Sequence, residues 1–569
     1  MRKTPLYSKV LAAATILAVL ASCNGSRNNG ESNGDSRYGH ILVMNQFTPF
    51  SILFPPMSHE GSAAQMGSQI YETLMTYSSE TGDLVPLLAE SWEVDKDHTQ
   101  YTFTLRSNVF FHDNRCFEDG EGRLMEPEDV LYAMQSLCEN SPFNVNGALF
   151  MDQVAGSRKF FDGKKVPGED AHEGIYLDSK DRLVFKLTRP NVEFIHVLAH
   201  YATSIYPKEV KVTYGMDVDD SPVGTGPFVN KNYRKNEVCL LERNSRYWGK
   251  DEDGNALPFL DGIKLGFNAS AAKVSDAMDK ELIHLMVDAN IIENSGRITE
   301  KCEEEDSPYS LRYVSDIETS FLGFLNDEGV FADKHVRIAF AYAIDRNKII
   351  ENALDHQGSA GTHGLIPPGF KDFPSDQVTS LNANADSARS YLAKAGFPGG
   401  SGFPVMSLQI QNRYKDVVVA QEIQKEILEV LGISLSITAL TKDQHFSRIE
   451  ERKSRLWLDN WIGDFMEPQN FLNIMLSQNT PENENTFLNI YRFKNAQFDS
   501  LVGEALKVDA LAARMDIYLQ ADQLLMDEAA NVPLYYENMQ IIQHRRLKDA
   551  KDPILGRFDF RRAYLEKKN

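Results

Sequence analysis

The chain has 569 residues, of which 42% are hydrophobic and 25% are charged, an ordinary composition for a globular protein of more than one domain. Its 59 Lys and Arg residues against 81 Asp and Glu residues give a formal net charge of -22 at pH 7. Because such a polyanion is repelled by phosphate backbones, nucleic-acid binding is disfavoured.

Residues 1–22 have the pattern of an export signal. Arg2 and Lys3 form a basic start, and the apolar run over residues 10–21 is too short to anchor a folded protein across a bilayer. The run ends in the sequence LASC, which resembles the bacterial lipobox. The resemblance implies that Cys23 carries a lipid and becomes the first residue after cleavage. The alternative is an ordinary secretory signal followed by a chance cysteine.

Residues 23–37 are predicted to form a flexible tether. The stretch after Cys23 contains no large apolar side chain, so ordering it would bring too little burial to offset the lost entropy. No later run is long and apolar enough to predict a transmembrane helix.

Regular hydrophobic patterns follow the tether. Alternating apolar residues predict strands over three segments, Tyr101–Leu105, Leu183–Leu187 and Ile433–Ile437. Apolar residues at helical spacing predict four helices, one opened by Glu126 and Pro127, one over Ala332–Leu354, one over Lys415–Leu431 capped by Gly432, and one over Ala512–Ala530. The mixture predicts an α/β architecture of at least two lobes, and ligands usually bind in the cleft between such lobes.

Motifs of enzyme chemistry are absent from the sequence. It has no phosphate loop, no dinucleotide fingerprint, no zinc-protease motif and no nucleophile elbow. The four cysteines that follow Cys23 match no zinc spacing, and their pairing stays open: Cys116, Cys138, Cys239 and Cys302. We therefore predict no catalytic residue, no metal site and no cofactor, and a surface enzyme such as a glycan hydrolase is the least favoured alternative.

Six motifs follow one another within residues 38–540. They are YETL (71–74), GDLVPLLAESWE (82–93), GTGPF (224–228), YWG (247–249), AIDR (343–346) and WIGDFMEPQNFL (461–472). In this order they resemble the family 5 extracellular solute-binding proteins, the oligopeptide- and dipeptide-binding proteins of ABC importers. Three of these motifs are interpreted as fold determinants: GTGP as a tight turn whose glycines allow positive φ, VPLLAESW as a loop closed onto a buried Trp92, and AIDR as the end of a helix.

The resemblance implies a two-lobed, periplasmic-binding-protein-like clamp of type II, with an extra domain in lobe one. Lobe one would combine residues 38–78, 184–312 and 528–569. The extra domain would be residues 79–183, and lobe two residues 313–527. A monomer is expected.

The same resemblance implies two ligand-binding residues. In peptide-binding members, an Asp in a W-x-x-D motif pairs with the α-amino group of the peptide, and the matching residue here is Asp464, with Trp461 as a wall of the pocket. The alternative is that Asp464 caps a surface turn after Gly463. Phe465 stands where the family commonly has Tyr, a mild departure. The inserted residues 115–122 and the segment 321–326 also depart from the family pattern, so the ligand's size stays open.

The function implied is that of a non-enzymatic receptor in the cell envelope. It would be lipid-anchored to a bacterial membrane, face the periplasm or the exterior, capture peptides and deliver them to an ABC permease. The alternatives with the same fold are a nickel chelate, haem, glutathione or an oligosaccharide as ligand, the last stacked on Trp457 and Trp461.

The variant Cys23→Ser tests the lipid anchor. It should abolish acylation, because serine has no thiol to accept the lipid, and leave an uncleaved or soluble form. Labelling cells with radioactive palmitate and fractionating them measures both effects. A Ser variant that is still labelled and still pellets with membranes contradicts the lipoprotein prediction.

Overall fold

The computed structural model describes residues 35–47, 49–50, 52–58, 61–289, 295–483 and 488–568. The predicted signal segment, Cys23 and most of the predicted tether lie outside these ranges. Within them, no helix combines the length and the apolar character needed to cross a bilayer.

Strands and helices are interspersed along the described chain. The strands are β1 (Ile41–Gln46), β2 (Met75–Tyr77), β3 (Leu84–Pro86), β4 (Ala89–Val94), β5 (Gln100–Leu105), β6 (Ile175–Leu177), β7 (Leu183–Lys186), β8 (Phe228–Arg234), β9 (Val238–Arg243), β10 (Gly262–Phe267), β11 (Leu285–Val287), β12 (Tyr309–Phe324), β13 (Ser359–Ala360), β14 (Met406–Gln411), β15 (Leu435–Leu440), β16 (Leu456–Ile462), β17 (Asn531–His544), β18 (Leu547–Lys548) and β19 (Tyr564–Leu565). The α-helices are α1 (Gly61–Ile70), α2 (Pro127–Ser136), α3 (Ala148–Met151), α4 (Ser157–Asp162), α5 (Phe194–Val197), α6 (Glu209–Tyr214), α7 (Ala271–Asp279), α8 (Gly296–Glu303), α9 (Lys334–Ala343), α10 (Arg346–Lys348), α11 (Ala385–Lys394), α12 (Tyr414–Leu431), α13 (Lys442–Glu450), α14 (Gln469–Leu472), α15 (Ala496–Ala505) and α16 (Leu511–Asp527).

One large sheet joins the two lobes. Its strand order is β15-β14-β16-β12-β17-β11-β1-β10-β9-β8, with β13 attached to β17. Parallel pairs lie on both sides of the centre, β14 with β15 and β1 with β10 and β11, whereas the central pair of β12 and β17 is antiparallel. The α/β architecture predicted from the sequence is therefore confirmed.

The ladder between β12 and β17 is interrupted in its middle. Tyr309 to Ser315 pair with His544 to Asn538 in one register, and Thr319 pairs with Tyr536 in a shifted register. Residues 316–318 therefore stand opposite Glu537 alone, an irregularity of the bulge type that bends a strand pair. We expect the hinge between the lobes at this interruption.

The apolar cores divide at the same place. Apart from Phe465, one core cluster is built from residues between 42 and 285 and between 539 and 565, and two further clusters lie between residues 317 and 535. The four-stranded sheet β4-β5-β7-β6 belongs to the first core through buried residues such as Phe103 and Phe185. Strand β7 crosses the predicted boundary at 183/184, and the lobe boundaries remain a prediction.

The prediction of one helix over Ala332–Leu354 is wrong. Helix α9 ends at Ala343, and Ile344 and Asp345 are extended, after which the Asp345 side chain accepts a hydrogen bond from the Asn347 N–H and starts α10. By contrast, the helices predicted over Lys415–Leu431 and Ala512–Ala530 are present as α12 and α16, and Gly432 ends α12 at φ 71°.

The contacts of Arg346 explain why the helix ends at Ala343. Its guanidinium is buried and donates to four backbone carbonyl oxygens, those of Ala341 (2.8 Å), Ile344 (3.0 Å), Leu381 (2.8 Å) and Pro533 (3.1 Å). Burial lowers its pKa to about 10. The side chain thus satisfies the terminal carbonyls of α9 and ties that helix to β17.

Three of the family-like motifs meet around one buried carboxylate. Glu72 accepts hydrogen bonds from Thr225 Oγ1 (2.8 Å), Tyr247 Oη (2.8 Å) and Trp248 Nε1 (3.1 Å). Burial raises the pKa of Glu72. YETL, GTGPF and YWG are therefore linked in space by one acceptor.

Two local predictions made for these motifs are wrong. Gly224 and Gly226 do not adopt positive φ; they are small because a Cβ would come within 2.2 and 2.7 Å of the carbonyl oxygen of Ile70. Trp92 is 39% exposed, because β4 is an edge strand whose residues after Ala89 face solvent. The four cysteines from Cys116 onward are free thiols.

Replacing Arg346 with Met should lower the free energy of unfolding by about 3 kcal/mol or more, because several buried carbonyl groups lose their donor. Urea denaturation followed by tryptophan fluorescence measures the change. Arg297→Met, on the exposed face of α8, is the matched control and should change the midpoint little. Equal midpoints for the two variants would contradict the structural role of Arg346.

Candidate functional site

Asn470 holds both predicted site residues. It lies on the short helix α14, and its Oδ1 accepts hydrogen bonds from the Trp461 indole N–H (2.9 Å) and the Asp464 backbone N–H (3.1 Å). Its Nδ2 donates to Asp464 Oδ2 at 3.4 Å. The structure therefore brings Trp461 and Asp464 together at the end of β16. Asn470 was missed as a functional residue, although it stands in the motif that contains both.

The Asp464 carboxylate lies at the boundary between the lobes. Its side chain is 43% exposed, and its one neighbour at ion-pair distance among the described residues is the His200 ring of the first lobe, with Oδ1 3.9 Å from Nε2. Burial lowers the pKa of His200, against the influence of Asp464. His200 Nδ1 accepts from the Ala202 N–H, so the ring's proton lies on Nε2 in the neutral form. Among the described residues, the Asp464 carboxylate therefore has no positively charged partner when His200 is neutral.

Polar contacts between the lobes continue beside this carboxylate. The Met466 N–H donates to Tyr77 Oη at 2.9 Å, and Tyr77 Oη is 3.0 Å from His196 Nδ1. His196 Nε2 lies 3.0 Å from Glu467 Oε1. The segment that carries Asp464 is therefore fixed against the first lobe through α5.

A buried pair of carboxylates completes this contact. Glu193 of the first lobe accepts from Tyr518 Oη (2.7 Å) and lies 3.1 Å from Arg514 Nε, while its Oε2, like that of Glu467, has no hydrogen-bond partner. Burial, with the neighbouring Glu467 charge, raises the pKa of Glu193 well above its usual value, and burial raises the pKa of Glu467. A proton shared by the two carboxylates would satisfy both free oxygens.

Phe465 adds an apolar contact to the polar ones. Although it follows Asp464 in the second lobe, its ring is buried and belongs to the core cluster of the first lobe. The neighbouring Met466 packs against the same cluster. The position where the family commonly has Tyr therefore closes the interface with a purely apolar side chain.

Acidic side chains gather where β12 and β17 cross between the lobes. They are Asp288, Asp316, Glu318 and Glu537, and Glu537 accepts from Lys415 Nζ at 2.6 Å. Burial, opposed by a hydrogen bond to Asp288 and increased by the carboxylates around it, raises the pKa of Asp288 to about 7. Burial also raises the pKa of Asp316 and of Glu318. This part of the cleft favours positive charge.

Most of the β16 backbone edge that faces β14 is not paired with that strand. The two strands pair at one position, Gln409 with Trp457. Farther along β16, Ile462 is 54% exposed. An edge of this kind can take an extended chain as an added strand.

Trp457 and Trp461 do not form one ligand-binding surface. Trp457 is fully buried and stacks on Tyr491, with ring centroids 5.7 Å apart, so the prediction that it could stack on a sugar is wrong. Trp461 is partly buried against the core of the second lobe. Across the described part of the chain, no three His, Cys, Asp or Glu side chains are grouped to hold a metal ion.

Comparisons with known proteins agree with this arrangement. A family model described as "Bacterial extracellular solute-binding proteins, family 5 Middle" matches residues 83–483. The chain is 25% identical to heme-binding protein A of Haemophilus influenzae over 92% of each chain, and 24% identical to the dipeptide-binding protein of Escherichia coli over 87% of this chain and 89% of the relative. A solved structure of similar fold is the ABC transporter-associated periplasmic binding protein DppA from Helicobacter pylori in complex with peptide STSA. It has a TM-score of 0.77 and 22% identity, over 94% of this chain and all of that chain.

The variant Glu467→Gln tests the carboxylate pair. Because burial where the lobes meet raises the pKa of Glu193 and Glu467, we expect the closed form to hold a proton that the separated lobes release. The fraction of wild-type molecules in the open form should therefore rise with pH, by up to about tenfold per pH unit, until the pH exceeds the raised pKa of the carboxylate pair. Burial lowers the pKa of His196 to about 4, so protonation of this ring favours the open form as the pH falls. This opposite effect occurs only below about pH 6.5.

Small-angle scattering from about pH 6.5 to 8.5, where His196 is neutral in both forms, measures this opening as an increase in the radius of gyration. Glu467→Gln should reduce the increase, because an amide can donate to Glu193 at every pH. The exposed Glu451→Gln is the control. The same pH profile in wild type and Glu467→Gln would rule out the shared proton.

Proposed function

The chain belongs to family 5 of the bacterial extracellular solute-binding proteins, and from that premise we propose that it captures peptides between its lobes and delivers them to an ABC permease. The proposal includes the lipid anchor at Cys23, a monomeric state and a place on the bacterial membrane that faces the periplasm or the exterior. It is a receptor without catalysis.

The observation that carries the proposal is the unpaired carboxylate of Asp464. Asn470 fixes its position, and the one ion-pair neighbour in the described residues is a His200 ring that burial favours in its neutral form. An ammonium group is the natural complement of such a carboxylate, and enclosure between two lobes strengthens the pair by weakening solvent screening. The α-amino group of a peptide supplies that ammonium.

The edge of β16 supports a peptide in particular. A main chain placed beside β16 can form hydrogen bonds that do not depend on the peptide's sequence, and the exposed Ile462 lies on that segment. This arrangement gives affinity through the backbone while Asp464 fixes the amino end. A sugar or a metal chelate would leave the strand edge unused.

The charge of the cleft favours a peptide over haem. The carboxylates of Asp288, Asp316 and Glu318 lie at the crossing of the lobes, where Lys415 is already paired with Glu537. Haem carries two propionates, which would add negative charge where neighbouring carboxylates already raise one another's pKa, whereas an ammonium would stabilise the ionised carboxylates. Haem binding, the property for which one relative is named, is therefore the second arm of the test.

The variant Asp464→Ala tests the proposal. It should weaken the binding of a free peptide by at least about tenfold, because the ammonium loses an enclosed partner. N-acetylated peptides should bind the wild type weakly and lose little more on the variant, since both changes remove one interaction. Isothermal titration of the four combinations measures the coupling.

The control is Asp386→Ala, which removes a fully exposed carboxylate from α11 of the second lobe and should leave the affinity unchanged. Equal affinity of free and acetylated peptides for the wild type would show that Asp464 does not hold an amino terminus. Haem binding without peptide binding would replace the proposed function by the haem alternative.

A further inference from the structure

Three carboxylates lie where β12 and β17 cross between the lobes and have no cation at ion-pair distance among the described residues. They are Asp288, Asp316 and Glu318, hereafter the crossing carboxylates. Glu537, the fourth acidic residue at this place, is paired with Lys415 at 2.6 Å. Burial and, to a lesser extent, the neighbouring negative charges raise the pKa values of the three, so a cation here would stabilise their ionised forms.

Each crossing carboxylate uses one oxygen for a hydrogen bond within the protein. The donors are the Gln540 N–H to Asp288 (3.1 Å), the Ile317 N–H to Asp316 (2.8 Å) and Asn460 Nδ2 to Glu318 (2.7 Å). The second oxygen of each has no hydrogen-bond partner in the described part of the chain, and all three side chains are partly exposed. Arg413, whose charge also interacts with Glu318, is held by Asp416 at 2.8 Å. Three acceptors are therefore open to a cationic ligand.

A buried amide oxygen beside Asp288 also lacks a donor. Gln540 has no exposed surface, and besides its backbone bond to Asp288 its Nε2 donates to Tyr313 Oη at 3.2 Å. Its Oε1 is buried and has no hydrogen-bond partner in the residues that the structure describes. Because buried polar atoms are normally satisfied, this oxygen indicates a donor that comes from a ligand.

Apolar surface borders these acceptors. Ile462 is 54% exposed and pairs directly with Glu318 in the ladder of β12 and β16, so the two side chains lie on one face of the sheet. Tyr313, which is 48% exposed, pairs with Gln540 in the ladder of β12 and β17. A side chain with an apolar stem and a charged end can cover such surface and still reach the acceptors.

The same strands connect the crossing carboxylates to Asp464. The Gly463 N–H donates to the carbonyl oxygen of Ile317 at 2.8 Å, and Asp464 is the next residue of the chain. Ile317 itself stands between Asp316 and Glu318. An extended peptide advances about 3.3 Å per residue, so a peptide whose amino group is held by Asp464 can bring one of its first three side chains to the crossing carboxylates.

We propose that the crossing carboxylates and the Gln540 carbonyl bind a lysine or arginine side chain of the peptide whose amino group Asp464 holds, so that the preferred ligands are peptides with a basic residue among their first three. The inference rests on the proposed peptide-binding function and narrows its substrate class. An ammonium or guanidinium group donates several charge-assisted hydrogen bonds and so matches a set of acceptors that lacks donors. The aliphatic stem of the side chain packs on Ile462 and Tyr313.

The test uses alanine tripeptides that carry lysine or norleucine at the first, second or third position, with affinities measured by isothermal titration. Norleucine keeps the aliphatic stem of lysine and removes the ammonium. At one of the three positions, the wild type should bind the lysine peptide at least about tenfold more tightly than its norleucine twin. Asp316→Asn should reduce this preference, and the double variant Asp288→Asn/Asp316→Asn should remove it. Asparagine suits position 288, where φ is 53°.

Asp276→Asn is the matched control, because it removes an exposed carboxylate from α7 of the first lobe and should leave the lysine preference intact. Equal affinities of the wild type for lysine and norleucine peptides overturn the inference while peptide binding itself stands. So does a lysine preference of the same size at all three positions, or one that persists in the double variant, since the net charge of -22 alone would then explain it.

If none of the tripeptides binds, the proposed function fails, and the site is tested separately with n-butylammonium chloride, which reproduces the end of a lysine side chain. A melting temperature that this salt raises in the wild type but not in the double variant, relative to sodium chloride at the same concentration, supports a cation site. No difference between the two proteins rejects it.

Discussion

The antiparallel pair of β12 and β17 is the constraint on which the rest of the structure depends. Both strands run from one lobe into the other, and their ladder of backbone hydrogen bonds fixes how the lobes face each other. The ladder shifts register between Ser320 and Phe321, and its longest interruption is where residues 316–318 stand opposite Glu537. Bending there moves the walls of the cleft as units, because each wall is packed on its own apolar core.

The charges of the cleft follow from this geometry. Glu537, for example, is paired with Lys415 within the protein. Asp464 has no such cation among the described residues, and a ligand that supplies the missing positive charge lowers the free energy of the closed form relative to the open one. Phe465 contributes to the same equilibrium without charge, since its ring leaves the first core when the lobes part.

Sequence patterns predicted the fold well because they report local physics. The helix over Lys415–Leu431 and its Gly432 cap were predictable from spacing alone. The break at Ile344 was not, because it depends on carbonyl groups of distant segments that Arg346 reaches only in the folded chain. Asp464 was predictable from its motif, whereas the role of Asn470 depends on hydrogen bonds to Trp461 and Asp464 that only the folded loop forms.

Native mass spectrometry tests the central claim most directly. The protein is purified without residues 1–23, mixed with an unbiased digest of peptides and separated from the excess. It is measured intact before the bound molecules are released and identified. The account predicts retained peptides that carry a free amino terminus and that are absent when the digest has been acetylated. Retention of acetylated peptides to the same extent, or of a non-peptide molecule in their place, would contradict it.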